Sequence, residues 1–406
     1  MAPDSALVVD NRAALAGKPG LHAFIVGMSD YPHLLEPDPN NPDNSAPHFG
    51  LRKLASPALS ACRIARALSL WSPTLTVRLA TVRLLLAASP EEHLADHSLA
   101  KGAGRPSWDN FAAAAARWRE DVASHPDNIA VFYFGGHGAQ QRVPNLVLLL
   151  EGFGDGVGGY LNHGVDAHRL MRGMVASKAH PTMGRRQLFM FDACRFTPPA
   201  MVAQEVEKVR DIWPPVDTDK DDRNCTVLYA TAPGRLSYGI RGRTSLFARA
   251  FIRAINRQGA QEDRGIIGTN ARTWSVCATS LAASINELVK LDTNEQSVEQ
   301  AGARPDFVLR ELFRPPRIKI SLQLQPADDH KRAELALRDD RFKPICQSGA
   351  PIDPYPYEPL LHAGVYIAEL KLKAAEGKPG ALLTRGFKVG PADRHVLLDT
   401  ADTSPP

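Results

Sequence analysis

Five short runs of this chain are apolar at nearly every position: HAFIVGM, TVRLLL, NIAVFYF, RQLFMF and TVLYA. A strand with one wet face alternates apolar and polar side chains, so strands apolar on both faces must be covered on both. Segments with helical periodicity lie between these runs. In LASPALSACRIARAL, Leu59, Cys62, Ile64, Ala65 and Leu68 fall on or near one stripe, and Ser56-Pro57 supplies an N-cap followed by proline at the first helical position. SWDNFAAAAARWREDVA (107–123) and DAHRLMRGMVAS (166–177) follow the same pattern, and further helices are predicted over 244–255 and 274–289. Strand and helix in alternation predict an α/β fold, a three-layer sandwich whose central sheet is mostly parallel.

After Arg314-Pro315-Pro316 the periodicity changes. In RIKISLQLQ, Ile318, Ile320, Leu322 and Leu324 point one way while Lys319, Ser321, Gln323 and Gln325 point the other, which predicts a half-exposed antiparallel strand. Residues 364–373, 384–390 and 395–399 continue this texture. A chain of 406 residues exceeds what one core usually serves. The expected division is an N-terminal extension (1–19), an α/β domain (20–314) and a small β-sandwich-like domain (316–400).

Composition excludes several classes. The net charge of +4 comes without a dense Lys/Arg block, so nucleic acid is not an expected partner. No apolar run approaches the roughly 18 residues of a membrane span. The N-terminus lacks the basic start and apolar core of a secretory signal, so a cytoplasmic location is expected. The five cysteines, Cys62, Cys194, Cys225, Cys277 and Cys346, form no CxxC pair, against both a zinc site and a disulfide framework. Without a phosphate loop, dinucleotide fingerprint or metal cluster, no cofactor is expected.

Two predicted strands end in reactive groups. NIAVFYF runs into Gly-Gly-His137-Gly, and RQLFMF runs into Asp192-Ala193-Cys194-Arg195. Ligands meet open parallel sheets at the carboxyl ends of strands, and neighbouring strands lie roughly 4.8 Å apart. If the two are neighbours, a thiol and an imidazole face each other, as nucleophilic catalysis requires. The flanking glycines let a substrate carbonyl approach the backbone, where the N–H groups of Gly138 and Cys194 would hold an oxyanion. Cys62, Cys225 and Cys277 sit in apolar helix or strand contexts and read as inert core.

With VFYFGGHG and LFMFDACR in matching order, the chain resembles the caspase-like cysteine peptidases, in particular the bacterial caspase-fold and metacaspase–paracaspase branch. AFIVGMSDY, TVLYATAPGRLSYG and TSLFARAFIRAI support the resemblance, which covers roughly residues 20–313. The spacing from His137 to Cys194 is close to the about 50 residues noted for caspases, although the QACRG tetrad is absent. The resemblance implies an endopeptidase with a Cys194–His137 dyad, an acyl-enzyme intermediate and no evident third member. Where caspases proper carry glutamine and select aspartate, this chain has Asp192, as metacaspases do, which implies an S1 pocket for Arg or Lys. The competing reading of Asp192 is a cap on the turn. Relatives place a second acid early in the first helix; here Ser60 or its neighbours stand there, with Asp30 and Asp155 as the remaining candidates.

The resemblance also marks WPPVDTDKDDRN (213–224) as a linker cut during activation, with Lys220 and Arg223 as autoprocessing sites. Asp217, Asp219, Asp221 and Asp222 offer oxygen ligands for an activating Ca²⁺, against the plainer reading of a solvated charge run. In the loop after the fifth strand, Arg235, Ser237 and Tyr238 are expected to line the cleft, with an ordinary Pro-Gly turn as the alternative. The implied substrate is a protein or peptide, with a substrate or activator recruited through the β domain, and the implied role is an effector in bacterial defence or cell death. Two other readings stand beside it: a catalytically silent caspase-fold scaffold or sensor, and another thiol hydrolase or acyltransferase using the same dyad.

Overall fold

The computed structural model describes residues 6–37, 50–99, 102–142, 145–157, 161–195, 209–214, 221–232, 237, 239–263, 273–302, 306–375, 379–390, 393 and 395–400. The chain divides into two units, residues 1–256 with 276–311, and residues 257–275 with 312–406.

In chain order, the strands that build the first unit include β1 (Leu7–Asp10), β2 (Leu21–Met28), β3 (Leu79–Ala87), β4 (Ile129–Gly136), β5 (Gly138–Arg142), β6 (Asn145–Leu149), β7 (Gly164–Asp166), β8 (Arg186–Ala193), β9 (Asn224–Tyr229) and β10 (Glu299–Ala301). Seven of them form the central sheet in the order β1-β3-β2-β4-β8-β9-β10. The five inner strands pair in parallel, and β1 and β10 close the edges antiparallel. The apolar runs explain this, since every residue of β2, β3 and β4 is buried. The fold is therefore the mixed α/β architecture with a mostly parallel sheet that the sequence predicts.

The helices are α1 (Arg12–Leu15), α2 (Pro57–Trp71), α3 (Pro90–Ala95), α4 (Trp108–Val122), α5 (Ala167–Arg172), α6 (Leu246–Arg253) and α7 (Ala278–Lys290). Period-two alternation assigns the two faces of the sheet. Phe24, Phe132, Phe134, Phe189 and Phe191 share one core with Phe111 and Trp118 of α4 and Leu170 of α5. Phe24 and Phe111 lie 5.0 Å apart by ring centroid, and Phe132 and Phe191 5.8 Å. Each such buried ring contributes roughly 1.5–3 kcal/mol. On the other face, α2 packs on β2, β3 and β4 and against α6.

Helix ends follow local chemistry. Ser107 Oγ accepts from the Asn110 N–H at 3.3 Å, as an N-cap should. Ser56 occupies the N-cap position of α2 but makes no side-chain cap bond. The orphan amides there go elsewhere: Ala58 N–H donates to Ser29 Oγ (3.1 Å) and Leu59 N–H to the buried carboxylate of Glu92 (2.9 Å).

Three predicted boundaries move. Residues 7–10, expected in an extension, form β1 and pair with β3. The helix predicted over 274–289 is preceded by a strand, Thr273–Cys277, in which Thr273, Trp274 and Ser275 pair with Asp263, Glu262 and Gln261, and the β-forming Thr273, Trp274 and Val276 favour it. The single strand predicted in RIKISLQLQ is two. Arg317–Lys319 runs antiparallel to Leu360–His362, and Ser321–Gln325 runs parallel to His395–Asp399. At the junction the Ile320 N–H turns to the Pro359 carbonyl (3.1 Å). The alternation survives the break, with Ile318, Ile320, Leu322 and Leu324 all buried.

Within the second unit, a four-stranded antiparallel sheet runs in the order Pro344–Ser348, Ala333–Asp339, Gly364–Leu372, Ala381–Val389. Leu335, Leu337, Ala368, Leu370 and Leu383 are among its buried side chains.

Candidate active site

Strands β4 and β8 are direct parallel neighbours, with Gly135 opposite Asp192 and Gly136 opposite Ala193. Both strands leave the sheet at its carboxyl end, so His137 and Cys194 emerge side by side. They line one cleft of about 350 Å³ together with Asp192, Ser56, Ser237 and Lys53.

His137 is fixed from two directions. Its Nε2 lies 2.6 Å from the carbonyl oxygen of Arg52. A carbonyl only accepts, so Nε2 carries the proton and the neutral ring keeps its lone pair on Nδ1. Its backbone N–H donates to Tyr31 Oη (2.8 Å), which in turn donates to the Leu149 carbonyl (3.1 Å). The Leu149 N–H donates to the His137 carbonyl (3.0 Å), so the tyrosine hydroxyl stands in for one rung of the β5–β6 ladder. The Tyr31 and His137 rings lie 4.9 Å apart. Burial lowers the imidazole to about 4, partly offset by the Arg52 carbonyl, so it is neutral near pH 7.

The Arg52 carbonyl sits on a strap between β2 and α2. Leu54 N–H donates to the Ser29 carbonyl (2.9 Å) and Lys53 N–H to that of Leu35 (3.0 Å). Lys53 Nζ pairs with Asp30 (3.0 Å) and Glu36 (3.2 Å).

Cys194 Sγ accepts from the Ser237 N–H at 3.3 Å. Burial raises its thiol above the ordinary value and the Asp192 carboxylate adds to this, against the Ser237 N–H. Gly138 answers why no side chain follows the histidine, since a Cβ there would lie 2.6 Å from the Cys194 carbonyl oxygen. In an antiparallel ladder, hydrogen-bonded and non-bonded pairs alternate. His137 and Leu149 form a bonded pair, so Gly138 opposite Leu148 is non-bonded and its N–H is not used by β6.

Asp192 is 6 % exposed and takes three hydroxyls. Tyr133 Oη donates to Oδ2 at 2.9 Å, Ser245 Oγ donates to Oδ2, and Ser237 Oγ donates to Oδ1 at 2.9 Å. Burial raises its pKa and these hydroxyls lower it. Ser237 thus touches both the sulfur and the acid. Ser60 is fully buried, donating to the Ser56 carbonyl (2.7 Å) and accepting from the Ser245 N–H (2.9 Å).

Other expected residues are not brought to the cleft. Asp30 is committed to Lys53, and Asp155 pairs with His163 at 2.8 Å. Arg223 is not presented as a cleavage site: its side chain is 8 % exposed and donates to Asp221 (2.7 Å), the Met171 carbonyl (2.7 Å) and Gln187 (3.0 Å). Asp221 is held by Arg223 and Asp222 by Arg185 (2.7 Å), so guanidinium groups occupy the carboxylates considered for Ca²⁺. Among the described residues no cluster of three metal-ligating side chains occurs. Arg235, Tyr238, Lys220, Asp217 and Asp219 lie outside the described residues. Burial raises Cys62, and pushes the Cys225 thiol up to about 11.

The sequence reading missed Arg52, Tyr31, Tyr133 and Ser245. Arg52 acts through its backbone, which leaves no sequence signal. Ser245 was legible only as an N-cap residue before the helix LFARAFIR.

A family model, that of the Caspase domain, matches residues 101–274, which contain both strand ends. Among solved structures, caspase-1 from Spodoptera frugiperda is 15% identical, with 73% of this chain and 89% of that chain covered and a TM-score of 0.40. A Geobacter sulfurreducens protein is 12% identical, with 71% and 95% covered and a TM-score of 0.42. No curated protein matches the chain. Among the described residues no helix is long and apolar enough to cross a membrane.

Proposed function

We propose that this chain, which carries a caspase domain, is a cysteine endopeptidase that cleaves after basic residues. The observation that supports it most is the parallel register of β4 and β8, with His137, Cys194 and Asp192 on one cleft. In this reading Cys194 Sγ attacks the peptide carbonyl while its proton passes to His137 Nδ1. The Gly138 and Cys194 N–H groups hold the oxyanion. His137 returns the proton to the leaving amine, giving a thioester. Water then attacks, again losing a proton to Nδ1, and the acid and free thiol are released. The dyad gains an orienting group, the Arg52 carbonyl, which takes the place of a carboxylate in fixing the tautomer.

Asp192 lines the same cleft and in this reading favours a cationic side chain beside the scissile bond. The protease comprises residues 20–314 together with the edge strand β1, and the β domain of 316–400 recruits a substrate or activator protein. A cytoplasmic effector role in defence or cell death belongs to the same reading.

The test is turnover of fluorogenic peptides ending in Arg, Lys, Asp or Leu, beside a Cys194→Ala control. Cleavage after Arg or Lys that disappears in the control is the expected result. An aspartate preference would remove the role given to Asp192, and turnover that survives in Cys194→Ala would remove the dyad.

A further inference from the structure

We infer that the pocket around Asp192 is built for a lysine ammonium in preference to an arginine guanidinium. This rests on the reading of Asp192 as the acid that faces the substrate. The argument is a count of acceptor positions. An ionised carboxylate offers about four lone-pair sites, two on each oxygen. Oδ2 accepts two hydroxyls, those of Tyr133 and Ser245, and Oδ1 accepts one, that of Ser237. Among the described residues a single acceptor position therefore remains, and it is on Oδ1.

The two hydroxyls on Oδ2 are firmly committed. Ser245 Oγ accepts from the Ala248 N–H at 3.0 Å as the N-cap of α6, so its own proton is free to go to Asp192. Tyr133 is fully buried in β4. Gly135 keeps its hydroxyl clear, since a Cβ at 135 would lie 2.9 Å from Tyr133 Oη.

A guanidinium binds a carboxylate best as a planar fork, with one N–H to each oxygen. With Oδ2 filled, that fork loses one of its two bonds. An ammonium is a compact donor whose three N–H groups seek separate acceptors. It takes the one position on Oδ1 and turns another N–H to a neutral wall hydroxyl. Ser56 Oγ is such a group, lining the cleft and capping no helix amide.

The experiment compares kcat/KM for two peptides that differ only in a terminal Lys or Arg, on the same enzyme sample. Their ratio does not depend on how much of a variant is folded. Wild type is expected to favour Lys by about tenfold, the scale on which one misplaced polar contact acts. Tyr133→Phe frees a position on Oδ2 and is expected to bring the ratio to one or below. Ser245→Ala frees the same oxygen and should act in the same direction. Arg equal to or better than Lys in wild type overturns the inference and leaves the protease standing, as does a ratio unmoved in both variants. Absence of Cys194-dependent turnover of either peptide overturns the protease reading and this inference together.

Discussion

The carbonyl oxygen of Arg52 lies 2.6 Å from Nε2 of His137 and decides which ring nitrogen keeps its lone pair. A backbone atom thus does the orienting that a carboxylate does in many hydrolytic triads, and it adds no charge to the site. The imidazole stays neutral, and in the proposed reaction its Nδ1 is the nitrogen that takes the proton of Cys194.

The second support of His137 is Tyr31, whose hydroxyl accepts the histidine N–H and donates to Leu149. Tyr31→Phe keeps the ring and removes the bridge, leaving a buried N–H and a buried carbonyl without it. We expect stability to fall by about 1–3 kcal/mol, read as a lower urea midpoint. Turnover of a basic peptide should fall with it. An unchanged midpoint would mean that the ladder closes without the hydroxyl.

Cys194 is a thiol whose pKa burial and Asp192 both raise. Alkylation by iodoacetamide, followed by mass spectrometry of the Cys194 peptide, should be slower at pH 7 than that of a free cysteine and rise as pH passes 9. Fast labelling at pH 6 would instead indicate a preformed thiolate–imidazolium pair.

Acid should weaken the fold through its buried histidines. Burial lowers both His22 and His137 from 6.5 to about 4. The unfolded chain therefore takes up protons first as pH drops. Their contribution is complete above pH 6.5 and is lost as pH falls towards 4, roughly 2 kcal/mol each by pH 5. Glu92 and Asp192, raised by burial, act in the opposite sense and gain as pH falls. The share of His137 is isolated by comparing urea midpoints at pH 7 and pH 5 in wild type and His137→Ala. The drop should be smaller in the variant.

Much of this site was readable because its main determinants are local in sequence. Apolar runs fixed the strands, and each reactive residue follows its own run directly. What escaped depends on pairs far apart along the chain. Tyr133 lies within the apolar run itself, where it reads as core, and only its bond to Asp192, 59 residues on, gives its hydroxyl a role. Arg223 misled in the other direction. A basic residue in an acidic linker reads as exposed, yet its acceptors, Gln187 and Met171, lie 36 and 52 residues away. The helix predicted from 274 failed at Thr273–Cys277 because strand pairing outweighed helical periodicity.

Because β4 and β8 are hydrogen-bonded neighbours running the same way, the sheet itself is the ruler between sulfur and imidazole. From the intervening stretch, the Leu149 rung of β6 adds to it by holding His137, and the turns that link these strands are connections. Its loops are therefore free to lengthen, shorten or be severed without changing the gauge, provided the two strands stay in step.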